Sequence, residues 1–151
     1  MAVEFSPDVV KRTVVAVANM LYVLDQYRLR LLNLDFGDEA GKISKAFDML
    51  DDLMRRDRVW FDDVYVTIRE VIKLLRDVDR GVKLFIDGLA GECSRLSGEA
   101  RNVCLRELTG YRNFYGELHA MLSGLIIALD NVATAVLNME RFALRPRSRR
   151  K

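Results

Sequence analysis

The side chains best equipped for acid–base or phosphate chemistry in this chain lie within one short stretch, Arg112-Asn113-Phe114-Tyr115-Gly116-Glu117-Leu118-His119. An imidazole can serve as general acid or base near neutral pH, and a guanidinium can hold the charge of a phosphate or an oxyanion. His119 is the single histidine, and Cys93 and Cys104 are the two cysteines. A four-ligand N/S zinc site therefore cannot be assembled within one chain, and a His-rich catalytic cluster is excluded. Thr109, Arg112, Gly116, His119 and Ser123 are spaced by three, four, three and four residues, which lines them up as a polar strip on a helix. Beside it Gly116, Ala120, Gly124 and Ala128 form a ridge of small residues that lets another helix approach closely. Glycine is costly inside a helix, so two in one ridge call for a packing explanation. A second chain docked there would set Arg112 and His119 of both subunits around one cleft.

The other chemically distinct segment is the C-terminal tail. Residues 145–151 carry Arg145, Arg147, Arg149, Arg150 and Lys151 with no acid, so the overall charge of +2 divides into −3 for residues 1–144 and +5 for the tail. Arginine-rich tails bind phosphate backbones by counterion release, and five contacts give a slope of about −4 in log K against log salt. The competing reading is a solvated helix end whose arginines complement the helix dipole. Trp60, Phe61 and Tyr65 beside Arg55-Arg56-Arg58 could stack on bases, but packing and solubility account for them equally well. The pairs Asp51-Asp52 and Asp62-Asp63 read as solvated faces, and neither a Glu-x-x-His pair nor a glycine-rich phosphate loop is present. No cofactor and no metal is expected.

The Arg112 to His119 stretch resembles the R-x4–6-H signature of HEPN domains, all-α proteins of about this size, down to the asparagine directly after the arginine. The resemblance implies that Arg112 and His119 from two subunits form a metal-independent ribonuclease site. Arg112 would stabilise the phosphorane charge and His119 would act as general acid or base. It also implies related proteins that bind nucleotides or RNA without cutting. The resemblance covers eight of 151 residues, and long helices of unbroken period depart from the family's shorter, irregular bundle.

The elements that position these residues are legible as apolar periodicity. Half the chain is hydrophobic, 30% is charged, and the two prolines are Pro7 and Pro146, which describes one soluble domain with enough length for its own core. Ser6 as N-cap, Pro7, Asp8 in the first turn and a Phe5–Val10 staple mark the start of a helix that runs to about Leu34. Asn33 to Asp38 then reads as a turn, with Asp38 capping the next helix. From Ile43 to Leu89 apolar residues recur in four-three alternation with Asp57 the one exception. That unbroken phase favours one helix from about 39 to 90, the alternative being a break with Asp57 as N-cap. A further helix follows the Gly91–Gly98 break, again with an unbroken stripe from Cys104 to Ala143. The expected fold is all-α: an antiparallel bundle of three long helices, or four with the break, with coiled-coil-like heptad packing. It comprises a helical domain at 1–144 and the basic tail at 145–151. No strand pattern or internal repeat is present.

Arginine outnumbers lysine 18 to 6 and glutamine occurs once, a bias toward hyperthermophile, for example archaeal, proteins. Cys93 and Cys104 are free thiols in a mesophile cytosol, whereas hyperthermophile interiors tolerate a disulfide. No charge-free run of 18 residues occurs, so a cytoplasmic protein, or one inside a virion, without a membrane span is expected. Together these features point to a non-enzymatic, nucleic-acid-associated structural protein. A viral or archaeal nucleoprotein, or the helical small subunit of a ribonucleoprotein, fits that description. It would self-associate through helix faces and contact phosphates with its tail. The alternatives are the HEPN-type ribonuclease or toxin and a protein-interaction bundle without nucleic acid.

Overall fold

The computed structural model describes residues 4–5, 22, 24–56 and 59–143. The chain is all-α. Helix α1 is described over 24–33, α2 spans Gly37–Arg55, α3 Phe61–Arg95 and α4 Gly98–Ala143. The proposed N-terminal cap at Ser6-Pro7-Asp8, its staple residue Val10 and the tail 145–151 lie outside the described residues. Phe5 itself belongs to a short extended segment, β1 (Glu4–Phe5), which pairs antiparallel with β2 (Val59–Trp60) in the register Glu4↔Trp60 and Phe5↔Val59. This two-residue ladder corrects the expectation of no extended pairing. It uses β-prone Val59 and Trp60 to satisfy backbone groups where the helical ladder has ended.

The turn after α1 follows helix-termination chemistry. The Phe36 N–H donates to the Leu31 carbonyl at 2.8 Å and the Asp35 N–H donates to the Leu32 carbonyl at 3.2 Å, with Asp35 at φ 65°. This is the bond pair of a Schellman motif, with aspartate in the left-handed position that glycine usually fills. The N-cap of α2 is Phe36, which makes no side-chain cap bond, while Asp38 and Glu39 sit in the first turn. Asp38 therefore favours the start of α2 through the helix dipole and not as the expected cap.

The expected continuous helix over 39–90 is broken. Arg56 is extended at φ −73°, ψ 141° and Trp60 at φ −98°, ψ 149°, and α3 begins at Phe61. Local charge favours the break. Arg55 occupies the last turn of α2 and Asp62 and Asp63 the first turn of α3, each matched to the dipole of its helix end. Arg56 bridges the two helices, reaching Asp52 at 2.8 Å and Asp63 at 3.5 Å. The far end of α3 also differs from expectation, running through Gly91 to Arg95 before α4 begins at Gly98, whose φ of 63° favours glycine.

One apolar core is shared by all four helices. Leu24 and Leu31 enter from α1, Ile43, Leu50 and Leu53 from α2, Ile68, Leu75 and Val78 from α3, and Leu118, Leu122 and Leu125 from α4. Each such side chain contributes roughly 1.5–3 kcal/mol on burial. The four-three stripe is buried at most of its positions, but Phe47 is 38% exposed and Phe85 44%, with Ala46 and Ile86 taking the inward places beside them. Partners along α3 and α4 count in opposite directions: Arg69 meets Asp130, Asp79 meets His119, Phe85 meets Tyr111, and Cys93 meets Cys104. The stretch Gly98–Asn138 of α4 is long and apolar enough, by length and composition, to cross a membrane. Its stripe Leu118, Leu122, Leu125 and Leu129 is nonetheless buried within the protein core.

Candidate functional site

The site forms where α3 and α4 lie side by side. Asp79 follows Val78, which is fully buried on the apolar face of α3, and His119 follows Leu118, which is fully buried on α4. One position past a buried residue places a side chain at the rim of the helix pair, where it can reach across. The Asp79 side chain is 24% exposed and that of His119 53%, and their Oδ1 and Nδ1 atoms are 2.7 Å apart. Carboxylate can only accept, so Nδ1–H donates and the tautomer leaves Nε2 as the nitrogen available to a ligand. The other carboxylate oxygen accepts from the Tyr115 hydroxyl at 3.2 Å, and the phenol oxygen lies 3.4 Å from His119 Nδ1. Desolvation raises the Tyr115 pKa above its ordinary value of 10.0, and Asp79 adds to the rise as a charge and as a hydrogen-bond acceptor, with Asp87 contributing last. The phenol therefore acts as a neutral donor that orients Asp79, which in turn orients the imidazole.

His119 opens onto a surface cleft of about 490 Å³ shared with Arg76, Asp79 and Arg80 of α3 and with Leu122, Ser123, Ile126 and Ile127 of α4. Arg76 and Arg80 are four residues apart and share one face. Arg80 is paired with Asp77 at 3.4 Å, while Arg76 makes no ion pair among the described residues. The cleft thus combines two guanidiniums, an imidazole, a hydroxyl and an apolar wall on which Ile127 is 62% exposed. The cations continue outward along α3. Arg69, Lys73, Arg76 and Arg80 line an adjoining trough together with Glu70 and Asp77, the basic positions falling at four-three-four spacing over about 16 Å.

Of the side chains singled out from sequence, His119 and Ser123 meet in this cleft and Arg112 does not. Arg112 is exposed, about 10 Å along α4 from His119, and does not line the cleft. Thr109 is occupied in a bond to its own helix, donating to the Leu105 carbonyl at 2.9 Å. On the ridge Gly116, Ala120 and Gly124 are exposed and Ala128 is half-buried, and a Cβ at Gly116 would meet nothing within 4 Å. Cys93 and Cys104 are joined in a disulfide with Cα atoms 5.5 Å apart. Among the described residues no cluster of three His, Cys, Asp or Glu side chains is arranged to hold a metal ion. Sequence reasoning missed Arg76, Asp79, Arg80 and Tyr115. The available signal is Arg76-x-x-Asp79-Arg80, whose three residues fall on one helix face; Tyr115 falls on the apolar stripe between Cys104 and Ala143, where its hydroxyl gives no separate signal. Compared with models of protein families, with curated proteins and with solved structures, the chain matches none.

Proposed function

We propose that the protein is a non-enzymatic, nucleic-acid-associated structural protein, cytoplasmic or enclosed in a virion. In this reading the four helices form an antiparallel bundle with coiled-coil-like packing. The bundle self-associates along Gly116, Ala120, Gly124 and Ala128, and Arg145, Arg147, Arg149, Arg150 and Lys151 grip phosphates. The observation that supports it is the row of exposed basic side chains on α3, Arg69, Lys73, Arg76 and Arg80, of which Arg69 pairs with Asp130 and Arg80 with Asp77; in this reading a strand follows that row as well as the tail. A nucleoprotein of viral or archaeal origin, or a helical small subunit of a ribonucleoprotein, would use both. Fluorescence anisotropy of a labelled single strand across a salt series tests the reading. Binding should weaken steeply with salt, and deletion of residues 145–151 should flatten the slope by about 3–4 units. Affinity indifferent to salt and to the deletion would sink it.

A second reading has its own observation. The Asp79–His119 pair leaves one imidazole nitrogen free for proton transfer, the part a HEPN-type ribonuclease would assign to His119, with Arg112 supplied across a subunit interface because it does not line the cleft of its own chain. The wild-type protein should then cut RNA in the presence of chelator and His119→Ala should not; an intact wild-type protein that never cuts RNA ends this reading. The third reading, a protein-interaction bundle without nucleic acid, predicts no strand binding at any salt concentration in the same assay.

A further inference from the structure

We propose that the cleft at Arg76, Arg80, His119 and Ser123 is a nucleotide site in which the two arginines take one phosphate and the attached sugar and base lie against Ile126 and Ile127. It depends on the nucleic-acid reading only where the nucleotide is a link in a strand; a free mononucleotide offers the same chemistry.

The volume, about 490 Å³, is in the range of small-ligand sites, which combine an apolar wall with a few fixed polar groups. Each polar group here has a defined part. Arg76 brings a guanidinium with no ion-pair partner among the described residues, and Arg80 brings a second one held at 3.4 Å by Asp77. Two forks four residues apart on one helix can share a single phosphate. Asp79 lines the same cleft and would repel an anion, but both its oxygens are engaged, Oδ1 by His119 and Oδ2 by Tyr115. His119 is consequently fixed in ring orientation before any ligand arrives, which lowers the ordering cost of binding. Ser123 lies one helical turn beyond His119 and adds a hydroxyl that donates or accepts.

The apolar wall distinguishes this cleft from the trough beside it. The trough is lined by Arg69, Lys73, Arg76 and Arg80 with Glu70 and Asp77 and by no apolar side chain, an arrangement suited to a backbone alone. The cleft adds exposed Ile127 and half-buried Ile126, which suit the less polar part of a nucleotide. A third cleft, about 550 Å³ between α1 and α4, lacks an available cation. Its Arg30 is paired with Glu117 at 2.7 Å and stands over the rings of Tyr27 and Phe114.

The single histidine makes the test direct, because the full-length protein gives one imidazole Cε1–H signal in a proton–carbon NMR spectrum. Thymidine monophosphate should move that signal saturably, thymidine should not, and a single-stranded oligothymidylate should move it as it binds. Arg76→Gln combined with Arg80→Gln should weaken thymidine monophosphate by about tenfold or more with helicity and melting temperature unchanged. It should also reduce the oligonucleotide salt slope by about 1.4. An oligonucleotide that binds by anisotropy while the signal stays still for both ligands overturns the nucleotide site and leaves the nucleic-acid reading standing. A signal moved by the mononucleotide, with no oligonucleotide binding at all, does the reverse and identifies the free nucleotide as ligand. Equal shifts in the double variant overturn the arginine assignment.

Discussion

Gly116→Ala separates the isolated chain from its proposed assembly, because the two predict opposite effects in two assays. Gly116 lies in the interior of α4, is exposed, and a methyl placed on it meets nothing within 4 Å. Within one chain the substitution therefore adds no clash and gains helix propensity, about 1 kcal/mol for an interior glycine replaced by alanine. In a chain of 151 residues that corresponds to a melting temperature higher by roughly 2–4 °C. If a second helix packs on the ridge, the same methyl stands between two backbones and overpacking costs about 1–3 kcal/mol, a five- to hundredfold weaker association. Melting at low protein concentration reads the first effect and sedimentation equilibrium reads the second. Gly110→Ala is the control. It too has nothing within 4 Å but lies about a third of a turn away from Gly116, so it should stabilise and leave association alone. Unchanged association in the Gly116 variant removes the ridge as an interface. A lower melting temperature at low concentration would contradict the open surroundings of the residue itself.

Leu75→Ala, at a fully buried position of the core, should cost about 2–5 kcal/mol in urea unfolding, whereas Leu84→Ala, 63% exposed, should stay within about 0.5 kcal/mol. Asp79→Asn removes the charge that helps raise the Tyr115 pKa and leaves only a neutral amide oxygen to accept from the phenol, so phenolate absorbance should develop at lower pH than in the wild type, the desolvation part of the rise remaining. A raised acid binds its proton more tightly when folded. The wild-type contribution from Tyr115 is therefore fully present below pH 10.0, the ordinary value, and is lost as pH climbs through the higher folded value; alkaline unfolding curves should show less of this loss in the variant. Reducing the Cys93–Cys104 disulfide, with a sequence separation of 11, should lower stability by about 3 kcal/mol on loop-closure entropy, read as a drop in melting temperature with reductant that Cys93→Ser combined with Cys104→Ser reproduces without it.

Apolar periodicity made the helices legible, and it failed where charge overrode it. Leu50 and Val64 are both buried, and the four-three phase runs across the residues between them as if α2 and α3 were one helix. Phase reports which side of a segment faces the core, and two helices that share a core can carry the same phase on either side of a turn. The information about the turn lay in Arg55 and Arg56 followed by Asp62 and Asp63, a basic helix end facing an acidic helix start. Read only as solvated surface, those residues lost their meaning. Phe47 and Phe85 show the opposite limit: both sit on the periodic stripe, yet alanine at 46 and isoleucine at 86 occupy the core more fully because packing between helices is settled by space as well as by face.

The candidate site was out of reach for a different reason. Its residues come from two helices, and periodicity within each says nothing about their mutual register. The disulfide contains that register. Joining Cys93 to Cys104 places two known points of α3 and α4 opposite each other, and because residue numbers fall along one helix as they rise along the other, equal steps away from the bridge stay level. Fourteen residues back along α3 and fifteen on along α4 arrive at Asp79 and His119, which meet at 2.7 Å. Without the bridge, sequence defines no partner for the single histidine, and the arginine that the motif pairs with it, Arg112, lies on its own helix. With the bridge in place the arginines that reach the imidazole's cleft are Arg76 and Arg80, three residues before and one after the aspartate that holds it.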